Sequence, residues 1–502
     1  MKFLRPARAG LLAWLVLMTA AAVLRARPFT VMAYNVENLV DADGKAVFED
    51  YQPAHYTRAH VLTKVRNVAR VLARIDAGKG PDIILFAEIE ADLTPSAAPF
   101  DYDALLRRHA GETIGEMLGA GFNPEIADLP AEALLLKACA DQGLTGYHVV
   151  AREAATEPGG RPQAQKCVIF SRFPVKAVRL LPTPVARPIL EAEVEVEGAT
   201  LYLFDNHWKS GASDPAMERV RIRNARTLRD RIDEILRADP HADIILGGDF
   251  NSQYNQADRY AKTMTHTGLN GILGSQGDET AVRGSEHGLY NLWFDLPASQ
   301  RASDTFRGEW GTLVQLIVSR GLLDFHGVQY VEGSLAVAKF PGLNMDAAGL
   351  PLRWSFEGPG GAGFSDHFPI YARFTTVKDN DPDRYLPPRP RIVEKEAEPS
   401  QAAPAALDVS HALTADQLPA GASLRSPAYL GRVVRVDGRV GRGQRLTVEF
   451  LGGTYDVWSF DARLRTRLRE TYREGDPIRF YGELGQYKGH WQFVIRDENW
   501  VR

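Results

Sequence analysis

Five apolar runs along this chain read as strands, and each one abuts a short polar cluster. In order they are Phe29–Asn38 with Asn35, Glu37 and Asn38; Ile83–Glu90 with Glu88 and Glu90; Leu201–Gly211 with Asp205, Asn206, His207 and Lys209; Ile244–Ser252 with Asp249 and Asn251; and Ser365–Ile370 with Asp366 and His367. A strand that is apolar on both faces is buried within a layered fold. The polar cluster at its end then sits on the rim of that layer. Carboxylates, amides and two histidines gathered at one rim suit a divalent metal and a phosphoryl group.

Between these runs the period changes to that of helices. Residues 56–75 place Leu62, Val65, Val68, Ala69, Leu72 and Ile75 on one face and stop at Gly78 and Gly80, before Pro81. Residues 217–236 repeat the pattern with Met217, Val220, Leu228, Ile232, Ile235 and Leu236. Strand–helix–strand alternation predicts a layered α/β domain over residues 27–376. Residues 92–146 are weakly periodic up to a helix near 131–140, and they carry no functional reading. From 377 to 424 several prolines, among them Pro382, Pro387, Pro388, Pro390, Pro399 and Pro404, and charged, alanine-rich stretches replace the pattern, as in a semi-extended linker. Residues 425–502 return to five short strand-like runs, with a helical pattern at 463–472 between the third and the fourth.

The polar clusters carry a resemblance. Asn35-Val36-Glu37-Asn38, Glu88-Ile89-Glu90, Asn206-His207-Trp208, Gly248-Asp249-Phe250-Asn251 and Ser365-Asp366-His367-Phe368-Pro369 stand in the order of the endonuclease/exonuclease/phosphatase superfamily, the group with the deoxyribonuclease I-like fold. The chain resembles that family over roughly residues 29–375. Each motif alone is weak, and five in one order are strong. The resemblance implies a four-layer α/β/β/α sandwich and a divalent metal: Mg2+, or else Mn2+ or Ca2+. It implies Asn35, Glu88 and Asp366 at the metal and His207, Asp249, Asn251 and His367 in catalysis. His207 would act as a general acid or grip the phosphate. Asp249 would handle the attacking water or the leaving oxygen, Asn251 would hold the phosphate, and His367 would lie near phosphate and water. Read from the residues alone, Glu88 is either a metal ligand or a structural carboxylate, Glu90 a supporting acid or the partner of a histidine, and Glu37 equally well a surface charge. Arg187 and Lys209 either face the phosphate or serve as a structural and a solvated cation. Gly247 and Gly248 let backbones approach closely. One departure stands out. Where the family carries an aspartate that orients the last histidine, this chain has Val314, so His367 is expected to lose its proton at lower pH or to lean on Asp304 or Asp295. The C-terminal segment resembles an OB-fold, a small all-β barrel that holds single strands by aromatic stacking and a basic groove. Tyr455 and Tyr487 are its candidate stacking residues, beside Trp458 and Trp491. The other reading is that the aromatics fill the barrel interior, and the apolar alternation around the two tryptophans favours the core for both.

Composition adds three constraints. The 502 residues are 45% apolar and 24% charged, ordinary globular material, with net charge −4. That charge is uneven: residues 422–502 are net +5 and residues 27–421 net −13. An acidic catalytic region is not that of a tight duplex binder. Two cysteines, Cys139 and Cys167, exclude a disulfide framework and leave either one bridge or two buried thiols. Lys2, Arg5 and Arg8 before the apolar stretch Leu11–Leu24 read as a signal peptide over 1–26, and hence export to the periplasm or the medium with no remaining membrane span; an uncleaved anchor is the alternative. The expected function is an exported metal-dependent phosphodiesterase, a nuclease of low sequence specificity on DNA or RNA. The rivals are a phosphatase or phosphodiesterase on inositol phosphates or phospholipid head groups, and a binding protein with a degraded site.

Overall fold

The computed structural model describes residues 28–94, 100–152, 160, 162–306, 309–377 and most of 409–502. The expected signal segment 1–26 and residues 378–408 and 419–422 of the expected linker lie outside the described residues.

Two sheets form the centre of the larger domain. Its strands are β1 (Phe29–Leu39), β2 (Ile83–Glu90), β3 (His148–Ala151), β4 (Gln165–Ser171), β5 (Val175–Leu181), β6 (Ile189–Val196), β7 (Ala199–His207), β8 (Asp243–Asp249), β9 (Ser275–Gln276), β10 (Leu289–Asn291), β11 (Asp304–Phe306), β12 (Glu309–Gly311), β13 (Val314–Ser319), β14 (Val328–Tyr330), β15 (Ala336–Val337) and β16 (Ile370–Thr376). One sheet runs β14-β16-β1-β2-β4-β3, with β15 on β16; the other runs β5-β6-β7-β8-β13-β10-β9; β11 and β12 form a separate hairpin. The sheets pack face to face through Val31, Ala33, Leu85, Leu203, Ile245 and Leu316. Alternate residues of the same strands, such as Met32 and Tyr34, face the helices Arg58–Leu72 and Ala131–Asp141. On the far side Phe204, Ile244 and Leu246 meet Leu228 and Ile232 of the helix Pro215–Ala238. These are the four expected layers, and they explain why the central strands are apolar on both faces. Residues 100–141 supply short helices to the outer layer. Cys139 and Cys167 are free and buried in different cores.

The parallel pairs β1/β2 and β7/β8 lie at the centre of their sheets and end at one rim. His207 and Asp249 are register partners there. The sheets approach so closely that a Cβ on Gly247 would stand 2.2 Å from Leu85 Cδ1, and one on Gly248 2.2 Å from the Asn206 carbonyl. The two glycines thus serve strand and sheet packing.

The C-terminal strands β17 (Val433–Val440), β18 (Thr447–Phe450), β19 (Gly453–Trp458), β20 (Pro477–Tyr487) and β21 (His490–Val494) close a barrel in the order β17-β18-β19-β21-β20, with the helix Ala462–Thr471 between β19 and β20. This is the expected OB-like arrangement. Two aromatic expectations are corrected. Tyr455 is 1% exposed and fills the barrel core with Trp491, because so small a barrel needs bulky side chains inside. Trp458, read as core, is 38% exposed, and Tyr487 is 63% exposed.

Tyr455→Ala should therefore cost about 3 kcal/mol in denaturant unfolding of the barrel, as large-to-small core changes do. Tyr487→Ala should stay within about 0.5 kcal/mol. A stable Tyr455→Ala protein with weakened nucleic-acid binding would place Tyr455 on the binding surface after all.

Candidate active site

The rim gathers side chains from both sheets. Asn35 is fully buried, and its Nδ2 donates to Glu88 Oε1 and to Asp249 Oδ2, each at 2.9 Å. One amide thus joins the first sheet to the second. Its Oδ1 accepts from the Glu37 amide, and Ser365 Oγ donates to its carbonyl. Glu88 has a left-handed backbone (φ 68°) at a break in the β2 ladder, which turns its carboxylate into the site; Oε2 accepts from the Asn38 amide. Burial, reinforced by Asp366, raises the Glu88 pKa. Ligand atoms of Glu88, His207 and Asp249 all lie within 4.8 Å of one another. Two carboxylates and an imidazole at this spacing fit a divalent cation.

The two histidines are in opposite states. His207 Nε2 meets an Arg187 guanidinium nitrogen at 2.5 Å and lies 3.6 Å from Glu88 Oε1, while its buried Nδ1 has no hydrogen-bond partner. Burial, then Arg187, His367 and Lys209, push its pKa well below the usual value. A neutral imidazole is a ligand or an acceptor, which disfavours the expected general-acid role. For His367, burial opposes the charge, but Asp366, Asp249 and Asp304 outweigh it and hold the pKa well above the usual value. Its Nδ1 is 2.7 Å from Asp366 Oδ1, and its Nε2 is 3.8 Å from Asp249 Oδ2. This corrects two expectations. Val314 does not leave His367 without a carboxylate, since Asp366 occupies Nδ1. Asp366 itself, assigned to the metal from sequence, stands outside the Glu88–His207–Asp249 cluster and pairs with His367 and, at 3.6 Å, with Arg353. Asp304 lies in the same cleft, with Oδ1 accepting from the Leu313 amide. Asp295 instead receives the hydroxyls of Tyr290 and Tyr330.

Asn251 adopts φ 47° and turns its amide to the Trp208 carbonyl, so it braces the Asp249 turn; its own N–H donates to Asp249 Oδ1. Lys209 and Arg187 line a cleft of about 1040 Å³ together with Arg259, which sequence reading missed. Two further residues were missed because they sit on apolar helix stripes. Arg221, fully buried and paired with Glu218 at 2.6 Å, donates to the carbonyls of Lys209, Gly211 and Ala212 and fastens the loop after His207. Lys64, equally buried, donates to the carbonyls of Glu37 and Phe364. Glu37 is held by Arg353 and the Trp354 amide, and burial, then Asp366, raises its pKa to about 7. Glu90 contacts no histidine and accepts from the Asp41 amide.

The carboxylate on His367 makes a pH prediction. The raised pKa keeps the charged form present below and through neutrality, and the charge is lost as pH rises through the folded-state value. Asp366→Asn should move that loss, and the alkaline limb of the pH–rate profile, to lower pH. Val314→Asp, placing a charge at a fully buried core position, should cost several kcal/mol without shifting the limb. A limb that stays in place in Asp366→Asn and rises in Val314→Asp would reverse the assignment.

Residues 168–376 match the model of the endonuclease/exonuclease/phosphatase family. No curated protein sequence matches the chain. Solved structures similar to it include truncated Caenorhabditis elegans TDP2 (16% identity, 69% of this chain and 98% of that one, TM-score 0.38), an endonuclease/exonuclease/phosphatase family protein from Leptotrichia buccalis (14%, 68% and 98%, 0.38) and the human Nocturnin catalytic domain with bound sulfate (15%, 70% and 95%, 0.35). Identities this low carry no information on substrate. With the five rim motifs in family order, residues 168–376 match the endonuclease/exonuclease/phosphatase family, a family of hydrolases.

Proposed function

We propose that this protein is an exported, divalent-metal-dependent phosphodiesterase that hydrolyses nucleic acid with low sequence specificity. The observation that carries the reading is the Glu88–His207–Asp249 cluster at the floor of an open cleft whose walls bear Arg187, Lys209 and Arg259. The unpartnered His207 Nδ1 and His367 Nε2, both buried, support it, since buried polar atoms without partners are costly unless a ligand meets them. A cation held by Glu88, His207 and Asp249 would polarise a phosphoryl oxygen and acidify a water; carboxylate oxygens favour Mg2+ or Mn2+. Charged His367 donates to a phosphoryl oxygen. Arg187 and Lys209 balance the phosphate charge on the opposite wall. Asn35 and Asn251 fix Asp249 so that its free lone pairs face the reacting atoms. The exposed Trp458 and Tyr487 of the barrel, with the net positive charge of its segment, give polymeric substrate a second hold. The basic-then-apolar N-terminal segment supports export, and no described helix is long and apolar enough to cross a membrane.

Glu88→Gln should cut turnover on plasmid DNA by about 10²-fold or more, and excess chelator should abolish it. His207→Ala and Asp249→Asn should each lose roughly 10²–10⁴-fold with melting temperatures within a few degrees of wild type. Full activity in chelator, or half-activity in any of the three, would remove that group from the chemistry. Rapid hydrolysis of an inositol phosphate with inert DNA would transfer the same site to the rival substrate class.

A further inference from the structure

Seven large hydrophobic side chains among the described residues are exposed: Val47, Phe48, Val185, Phe306, Leu451, Trp458 and Tyr487. Five of them line only two clefts. Val47, Phe48 and Phe306 stand on the walls of the hydrolytic cleft, and Trp458 and Tyr487 line a second cleft of about 740 Å³ between the barrel and the loop carrying Glu49, Asp50 and His55. The clefts share Glu49 and Asp50 as a common wall. Trp491 Nε1 of the barrel donates to Glu357 of the larger domain at 2.5 Å.

We infer that one single-stranded nucleic acid runs from the hydrolytic cleft over the Phe48–Asp50 turn onto the barrel, its bases stacking on Phe306 and Phe48 and then on Trp458 and Tyr487. This rests on the nucleic-acid reading above and adds to it the strandedness and the length of the substrate. The exposed rings suit it: a duplex hides its base faces in its own stack, whereas an unpaired strand offers them to aromatic side chains. Trp458 is set for this, because the Arg465 guanidinium lies 4.4 Å from its ring centre and supports one face. Charge agrees. Arg187, Lys209 and Arg259 flank the first cleft and Arg445 and Arg469 the second, so phosphates find cations at both ends. The shared wall is acidic and repels phosphates, so the strand crosses it with bases turned to Phe48.

The test is hydrolysis of oligothymidylates of two to twenty nucleotides, and of a twenty-base-pair duplex, by the full-length protein. The expected kcat/KM rises at least tenfold with length and then levels once the strand reaches the barrel, and the duplex is cut at least tenfold more slowly. In Trp458→Ala/Tyr487→Ala the KM for the twenty-mer should rise about tenfold or more toward that of the shortest substrate, and the length dependence should collapse. Leu451→Ala, at an exposed hydrophobic outside both clefts, should keep it. Both altered residues are surface side chains, and an unchanged melting temperature verifies folding. A flat length profile, or duplex cut as fast as single strand, overturns the shared track while leaving a nuclease. No cleavage of any oligonucleotide, with bis-nitrophenyl phosphate still hydrolysed, overturns the nucleic-acid reading and the track together.

Discussion

Everything at the rim depends on bringing a half-buried and a buried carboxylate from different sheets onto one amide. Glu88 belongs to the first sheet and Asp249 to the second, and Asn35 Nδ2 donates to both. Like charges brought that close repel unless a cation or a proton intervenes. The fold accepts this with backbone strain in the same place: Glu37, Asn38, Glu88 and Asn251 all have positive φ. Such conformations cost on the order of 1 kcal/mol or more each and persist only when the surroundings impose them. Here the surroundings are two sheets whose central strands end at one rim, locked by glycines that admit no Cβ.

The same rim holds two imidazoles whose pKa values are pushed in opposite directions. Burial and then the neighbouring guanidinium lower the His207 pKa, whereas three aspartates outweigh burial and raise that of His367. Environments that push two like groups apart in pKa mark out their roles. The neutral one suits a ligand, and the charged one suits a donor to a developing negative charge. The further carboxylate network, Glu37 with Arg353 and Asp366 with His367, extends from this centre toward the segment that supports the barrel, since Arg353 also feels Glu483 of β20.

Much of this was legible in the sequence. The apolar strands and their polar ends located the rim, because a strand buried on both faces leaves only its end for chemistry. The barrel and its helix followed from five short strands with one helical interruption. Four things were hidden. Periodicity does not tell which face of a small barrel a residue occupies, so Tyr455 and Trp458 were exchanged. The carboxylate neighbouring a histidine in sequence was assigned to the metal, although adjacency let Asp366 fold back onto His367. Buried Lys64 and Arg221 sat on apolar helical stripes, where a long charged side chain among valines and leucines is itself a signal that it meets buried carbonyls. The Phe306 and Phe48 walls belong to a three-residue strand and a loop, too short for any period to show.

The central claim is that the two carboxylates are held together to receive a cation. Its most direct measurement is calorimetric titration of Mn2+ into the full-length protein, with Asn35→Ala and Glu88→Gln beside it. The account predicts at least one ion bound by wild type, bound at least tenfold more weakly in Glu88→Gln and weakened in Asn35→Ala, where the carboxylates lose their shared donor. Unchanged affinity in both variants would contradict it.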